Sequence, residues 1–102
     1  MTGIRFEWDE AKNLSNRRKH GVSFEEASQV FRDPLYVSVK ERMQGGEERW
    51  QTFGLVGNIL LLMVAHTVEE ENDEGGFVEI IRIISARHTT PKERRRYEEE
   101  NG

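Results

Sequence analysis

Trp50-Gln51-Thr52-Phe53-Gly54-Leu55-Val56-Gly57-Asn58-Ile59-Leu60-Leu61-Leu62-Met63-Val64-Ala65-His66-Thr67 is the stretch that decides the fold. Residues 50–56 are rich in strand formers, and Gly57-Asn58 is a turn signal that accepts left-handed backbone. Residues 59–67 are almost wholly apolar, which predicts a central strand covered on both faces. The apolar run is far too short to cross a bilayer.

Working outward from this hairpin, residues 69–76 are acidic and read as a loop, and 78–86 as the last strand. Thr90-Pro91-Lys92-Glu93 places Thr at an N-cap, Pro at the first helical position and Glu at the third, so a short helix over about 91–100 is expected. On the N-terminal side, residues 35–39 read as a strand and 42–48, with Gly45-Gly46, as a loop. Ser23-x-x-Glu26 is a capping box, and Phe24, Ala27, Val30 and Phe31 fall on one helical face up to the stop at Asp33-Pro34. A more polar helix over about 10–19 lies between an N-cap at Asp9 and a terminating Gly21, and residues 5–8 alternate as an edge strand does. The order predicts an α+β fold: an N-terminal strand and two helices packed on one face of a twisted antiparallel sheet, then a short C-terminal helix. Strict alternation over 78–86 sets Arg82 on one face of its strand and Arg87 on the other.

The 102 residues amount to a single domain, 1–102, whose site must be a shallow cleft or an open sheet face. There are no cysteines, so disulfides, thiolate metal sites and thiol nucleophiles are excluded. The three histidines have no ligand-like spacing, and neither a metal site nor a cofactor motif is expected. No apolar leader opens the sequence, and a soluble, cytoplasmic protein without membrane contact is the expectation. The net charge is -4, but its distribution is uneven: residues 1–40 carry +1, 41–81 carry -7 and 82–102 carry +2. The two ends are therefore able to build a basic patch that meets phosphates.

Arg17-Arg18-Lys19-His20 ends a helix, where the macrodipole favours cations, and His20 there is free to shuttle a proton. Arg82, in the middle of an apolar strand, either lines a polar site or makes a structural ion pair. Arg87 and His88 close the same strand. His66, at the rim of the central strand, is either a satisfied core histidine or a site residue. Arg94-Arg95-Arg96 precede Glu98-Glu99-Glu100 at i,i+4, the weaker orientation for helix ion pairs, so these arginines seek an outside acidic partner. Tyr97 either stacks on a base or closes the core. Arginines and a titratable histidine suit RNA cleavage: the 2′-hydroxyl supplies the nucleophile, arginines hold the phosphate, and Lys or His moves the protons.

Phe6-Glu7-Trp8-Asp9, Asn16, Arg18-Lys19-His20-Gly21-Val22-Ser23-Phe24-Glu25-Glu26-Ala27, Phe31 and Asp33-Pro34 resemble the N-terminal signature of BrnT toxins. Arg82-Ile83-Ile84-Ser85-Ala86-Arg87 and Glu93-Arg94-Arg95-Arg96-Tyr97-Glu98 resemble the C-terminal one. The resemblance implies a RelE-like fold and a ribonuclease toxin silenced by a BrnA-type antitoxin. Such antitoxins carry ribbon-helix-helix domains, which implies two toxins per antitoxin dimer and operator contact only through the antitoxin. It also points to Lys19, His20, Arg82 and Arg87 as the catalytic set. Arg49 and His66 join as RNA contacts by position, with Arg94, Arg95 and Tyr97 beside them. The other reading is a non-catalytic binding module, a co-repressor in an antitoxin–DNA complex.

Overall fold

The computed structural model describes residues 3–101, and only the backbone of Arg42, Gln44 and Asp73. Met1, Thr2 and Gly102 lie outside the described residues. The chain runs β1 (Gly3–Glu7), α1 (Glu10–His20), α2 (Phe24–Ser28), a 3₁₀ turn (Gln29–Arg32), β2 (Val37–Gln44), β3 (Glu47–Val56), β4 (Leu60–Asp73), β5 (Gly76–His88) and α3 (Pro91–Asn101). No helix among the described residues is long and apolar enough to cross a membrane.

The locally encoded signals act as the sequence reading expects. Asp9 Oδ1 accepts from the amides of Ala11 and Lys12, and Gly21 closes α1 at φ 70°. Ser23 and Glu26 form the reciprocal capping box of α2. Gly57 and Asn58 both take positive φ, 63° and 61°, the backbone of a tight hairpin turn. Glu93 and Thr90 cap α3 in the same reciprocal way, at 2.9 and 3.2 Å.

Four features differ from the expectation. The five strands are ordered β1-β5-β4-β3-β2, and β1 pairs with β5 in parallel, so the sheet is mixed rather than antiparallel. The acidic segment is not a loop: β4 and β5 stay paired out to Asp73 and Gly76, with β1 on the far side of β5 as far as Gly3 and Val78. Residues 42–48 are likewise mostly strand, turning only at Gly45-Gly46. The helices occupy both faces. Val22, Phe24, Ala27 and Val30 pack on Leu62, Val64, Ile81, Ile83 and Ala86 on one face. Tyr97 of α3 packs on Phe53, Leu61 and Met63 on the other.

The β1–β5 pairing ends at Glu7 and Arg82. Beyond it, a side chain of α1 takes the place of a strand at β5's free edge. Asn16 Nδ2 donates to Ala86 O at 2.8 Å and Oδ1 accepts from Ala86 N at 3.1 Å. The same Nδ2 donates to Val22 O at 2.9 Å, so the buried Asn16 sets both the height and the rotation of α1 against β5. Asn13 does the equivalent for α2, accepting from Phe24 N at 2.8 Å.

Candidate functional site

β5 carries a bulge. Ala65 pairs with Ser85 and His66 with Ile83, so Ile84 has no partner and the alternation of side chains resets. Arg82 then sits across from Thr67, and Arg87 across from Met63, both on the α3 face. The bulge therefore brings to one face the two arginines that strict alternation separates.

Arg82 is exposed, and among the described residues no carboxylate reaches ion-pairing distance of it. With Arg49, Thr67 and Lys12 it lines a hollow of about 150 Å³, whose acidic members are Asp9 and Glu47. A second hollow, of about 180 Å³, is lined by Lys12, Ser15, Asn16, Lys19, His20, Ile84 and Ser85. The two adjoin between α1 and the strand edge, with Lys12 and the bulged Ile84 in both linings. The pair, the α1–β5 groove, carries Arg82 and Arg49 in one hollow and Lys19 and His20 in the other. Lys12 was missed in the sequence, although Lys12, Ser15, Asn16 and Lys19 follow the i, i+3, i+4, i+7 spacing of one helical face.

Arg87 departs from the expectation of a free phosphate clamp. Its Nη1 and Nη2 donate to Glu93 Oε1 and Oε2 at 2.8 and 3.0 Å, and Nη1 also donates to His88 O at 3.0 Å. The bond to Glu93 raises the Arg87 pKa against the opposing effect of burial. The same bond holds the Glu93 carboxyl below its usual range. This fork ties the start of α3 to the end of β5.

His66 and Tyr97, expected as RNA contacts, are both largely buried, and His66 lines a hollow of about 210 Å³ with Phe31, Tyr36 and Trp50. His66 is 2% exposed, with Nε2 2.6 Å from Thr52 Oγ1 and the Phe31 ring edge-on at 5.0 Å. Burial lowers its pKa to about 4, opposed by a bond to the Thr67 carbonyl. Tyr97 closes the core, and its hydroxyl donates to Asp33 Oδ2 at 2.6 Å. Burial, then Asp33, pushes the Tyr97 pKa up to about 12. Burial acts to raise Asp33, but the amides of Leu55 and Leu35 and the Tyr97 hydroxyl outweigh it and hold the carboxyl below its usual range.

Arg94, Arg95 and Arg96 are exposed, and none pairs with a carboxylate among the described residues. Lys92, Arg95 and Arg96, with Glu93, Glu99 and Glu100, line a wider groove of about 610 Å³ together with Val39 and Phe53.

The fold and the α1–β5 groove define a small α+β protein with a groove in which basic side chains outnumber acidic ones and whose lining includes the His20 imidazole. The family model described as "Ribonuclease toxin, BrnT, of type II toxin-antitoxin system" matches residues 8–93, and the chain belongs to that family. It is a ribonuclease toxin of the BrnT type, from a system that pairs toxin with antitoxin. The crystal structure of the Brucella abortus ribonuclease toxin BrnT has a similar fold, with a TM-score of 0.55. At 20% identity that likeness covers 88% of this chain and 99% of the Brucella one. No curated protein matches the sequence.

Proposed function

We propose that the α1–β5 groove cleaves RNA by attack of the substrate's own 2′-hydroxyl, with no metal ion taking part. The observation that carries this reading is the adjacency of the Arg82–Arg49 hollow and the Lys19–His20 hollow, which share Lys12 and Ile84. Arg82, on a rigid strand, holds the scissile phosphate, and Arg49 adds a second guanidinium. His20 accepts the 2′ proton, the 2′ oxygen bonds to phosphorus, and the phosphorus–O5′ bond breaks as Lys19 protonates the leaving oxygen. The products are a 2′,3′-cyclic phosphate and a 5′-hydroxyl. Arg87 acts indirectly, by anchoring α3 to the end of β5 through Glu93. The reading is of a RelE-like endoribonuclease working in the cytoplasm.

The partner in this reading is a BrnA-type ribbon-helix-helix antitoxin, with two toxins on each antitoxin dimer. An apolar antitoxin segment of mixed charge suits the α3 groove, where Lys92, Arg95 and Arg96 and the acids Glu93, Glu99 and Glu100 line the space beside Val39 and Phe53. Operator DNA is met through the antitoxin, since the toxin's net charge of -4 opposes a duplex.

Purified protein incubated with RNA in EDTA tests the reading. Cleavage is expected for the wild type and a loss of about 10²-fold or more for a folded Arg82→Ala protein. A requirement for a divalent ion, or full activity in Arg82→Ala, contradicts it. Expression alone is expected to arrest growth, relieved by co-expressing the antitoxin. Harmless expression of folded protein supports the co-repressor reading instead.

A further inference from the structure

Lys12 belongs to neither signature read in the sequence, yet it is the one charged side chain that lines both hollows. Its backbone amide is spent on Asp9 at the start of α1, whereas its ammonium has no hydrogen-bond or ion-pair partner among the described residues. Asp9 Oδ1 accepts the amides of Ala11 and Lys12, so one oxygen of the nearest acid is already engaged. The position of Lys12 is fixed from a turn away. Asn16 is 6% exposed and bonded to both backbone groups of Ala86, and Lys12 and Lys19 stand four residues before and three after it. The two lysines are thereby held on the helical face that looks along β5, roughly 10 Å apart on the axis.

We propose that Lys12 is a substrate-contacting residue that grips the RNA backbone where the two hollows adjoin, so that the strand runs along α1 from Arg49 and Arg82 past Lys12 to Lys19 and His20. This rests on the reading of the groove as the RNA-cleaving site and adds the path of the substrate through it. Lys12 stands between two basic ends, with Arg49 and Arg82 in one hollow and Lys19 in the other, and the acids of the two linings are Asp9 and Glu47 alone. A phosphodiester backbone supplies one negative charge per nucleotide and meets successive cations along such a track. Asn16 serves as a positioning residue, because the orientation of Lys12 depends on its grip on Ala86.

Binding is measured with the full-length protein and a single-stranded 2′-O-methyl oligonucleotide of mixed sequence, which lacks the nucleophile and is not cut. Lys12→Met is expected to weaken binding about equally for unrelated sequences and to flatten the salt dependence of log affinity by about 0.7, the loss of one single-strand phosphate contact. Lys12→Arg restores the slope. Arg32→Met removes the same charge from the 3₁₀ turn and leaves the slope unchanged. Cleavage of the unmodified RNA by Lys12→Met is expected to fall with it. Unchanged affinity and slope in a folded Lys12→Met protein overturns the contact, as does a wild type that does not bind the probe. Because the probe reads binding without chemistry, a wild type that binds it with Lys12-dependent slope but cuts no RNA sinks the cleavage reading and leaves the contact standing. Loss of cleavage in Arg82→Ala beside full binding and cleavage in Lys12→Met sinks the contact alone.

Discussion

Arg87 and His66 show how two side chains with site-like chemistry are committed to the fold. Arg87 is 32% exposed and Glu93 17%, and their forked bonds are shielded enough to matter. A double-mutant cycle on Arg87→Ala and Glu93→Gln is expected to give a coupling of roughly 1–3 kcal/mol in urea unfolding, and additive losses contradict the anchor role. His66 is neutral and buried, with its pKa lowered to about 4 from 6.5. The unfolded chain binds that proton first, so the stability His66 allows is intact above pH 6.5 and is lost as pH falls toward 4. The loss is expected to reach about 3 kcal/mol, and His66→Gln should flatten it in that window. The lowered carboxyls of Asp33 and Glu93 add further losses at lower pH, as each falls through its depressed folded-state value. An unchanged pH profile in His66→Gln contradicts the assignment. The sequence left both residues open because burial depends on what arrives from distant segments. Phe31 covers His66, and Glu93 reaches Arg87 only once α3 has docked.

Elements whose ends are written in adjacent residues were legible in advance. The caps at Asp9, Ser23 and Thr90, the stop at Gly21 and the Gly57-Asn58 turn each satisfy or redirect backbone within a few residues. The bulge at Ile84, the parallel β1 and the strand pairing through Glu69, Glu70 and Glu71 depend on a partner strand and carry no local mark. For the same reason the groove was half legible: its residue types stood out, but their common face did not. Asn16 joins the two levels. Asn16→Leu leaves the N–H and C=O of Ala86 unpaired, and a loss of about 2–4 kcal/mol is expected in chemical denaturation. Near-wild-type stability contradicts the strand-substitute role. Gly54 marks another close approach, since a Cβ there meets Val30 Cγ1 at 2.8 Å and Val30 O at 2.9 Å. Gly54→Ala is expected to push the 3₁₀ turn off β3 and lower stability by about 1–3 kcal/mol, read from the unfolding midpoint.

At the scale of the whole molecule, charge and curvature divide the labour. The acidic segment shared by β4 and β5 gives the protein its net negative charge, while Lys12, Lys19, Arg49 and Arg82 gather in the α1–β5 groove. An acidic protein can therefore hold RNA locally without binding nucleic acid at large. The α3 groove includes Gln51, two residues from Arg49 on β3, so in the proposed reading an antitoxin segment seated there lies near the RNA path. Reversing Arg95 and Arg96 to Glu is expected to weaken antitoxin binding at least tenfold in calorimetry, and an unchanged affinity returns α3 to a solvated surface. The central claim is that the substrate supplies the nucleophile to a groove that needs only cations and a proton carrier. It is tested most directly with an RNA oligonucleotide carrying one deoxynucleotide 5′ to the mapped cleavage point, incubated with purified protein in EDTA. The account predicts that the unmodified strand is cut to a 2′,3′-cyclic phosphate and that the substituted strand is not cut at that position. Cleavage of the substituted strand at the same bond contradicts it.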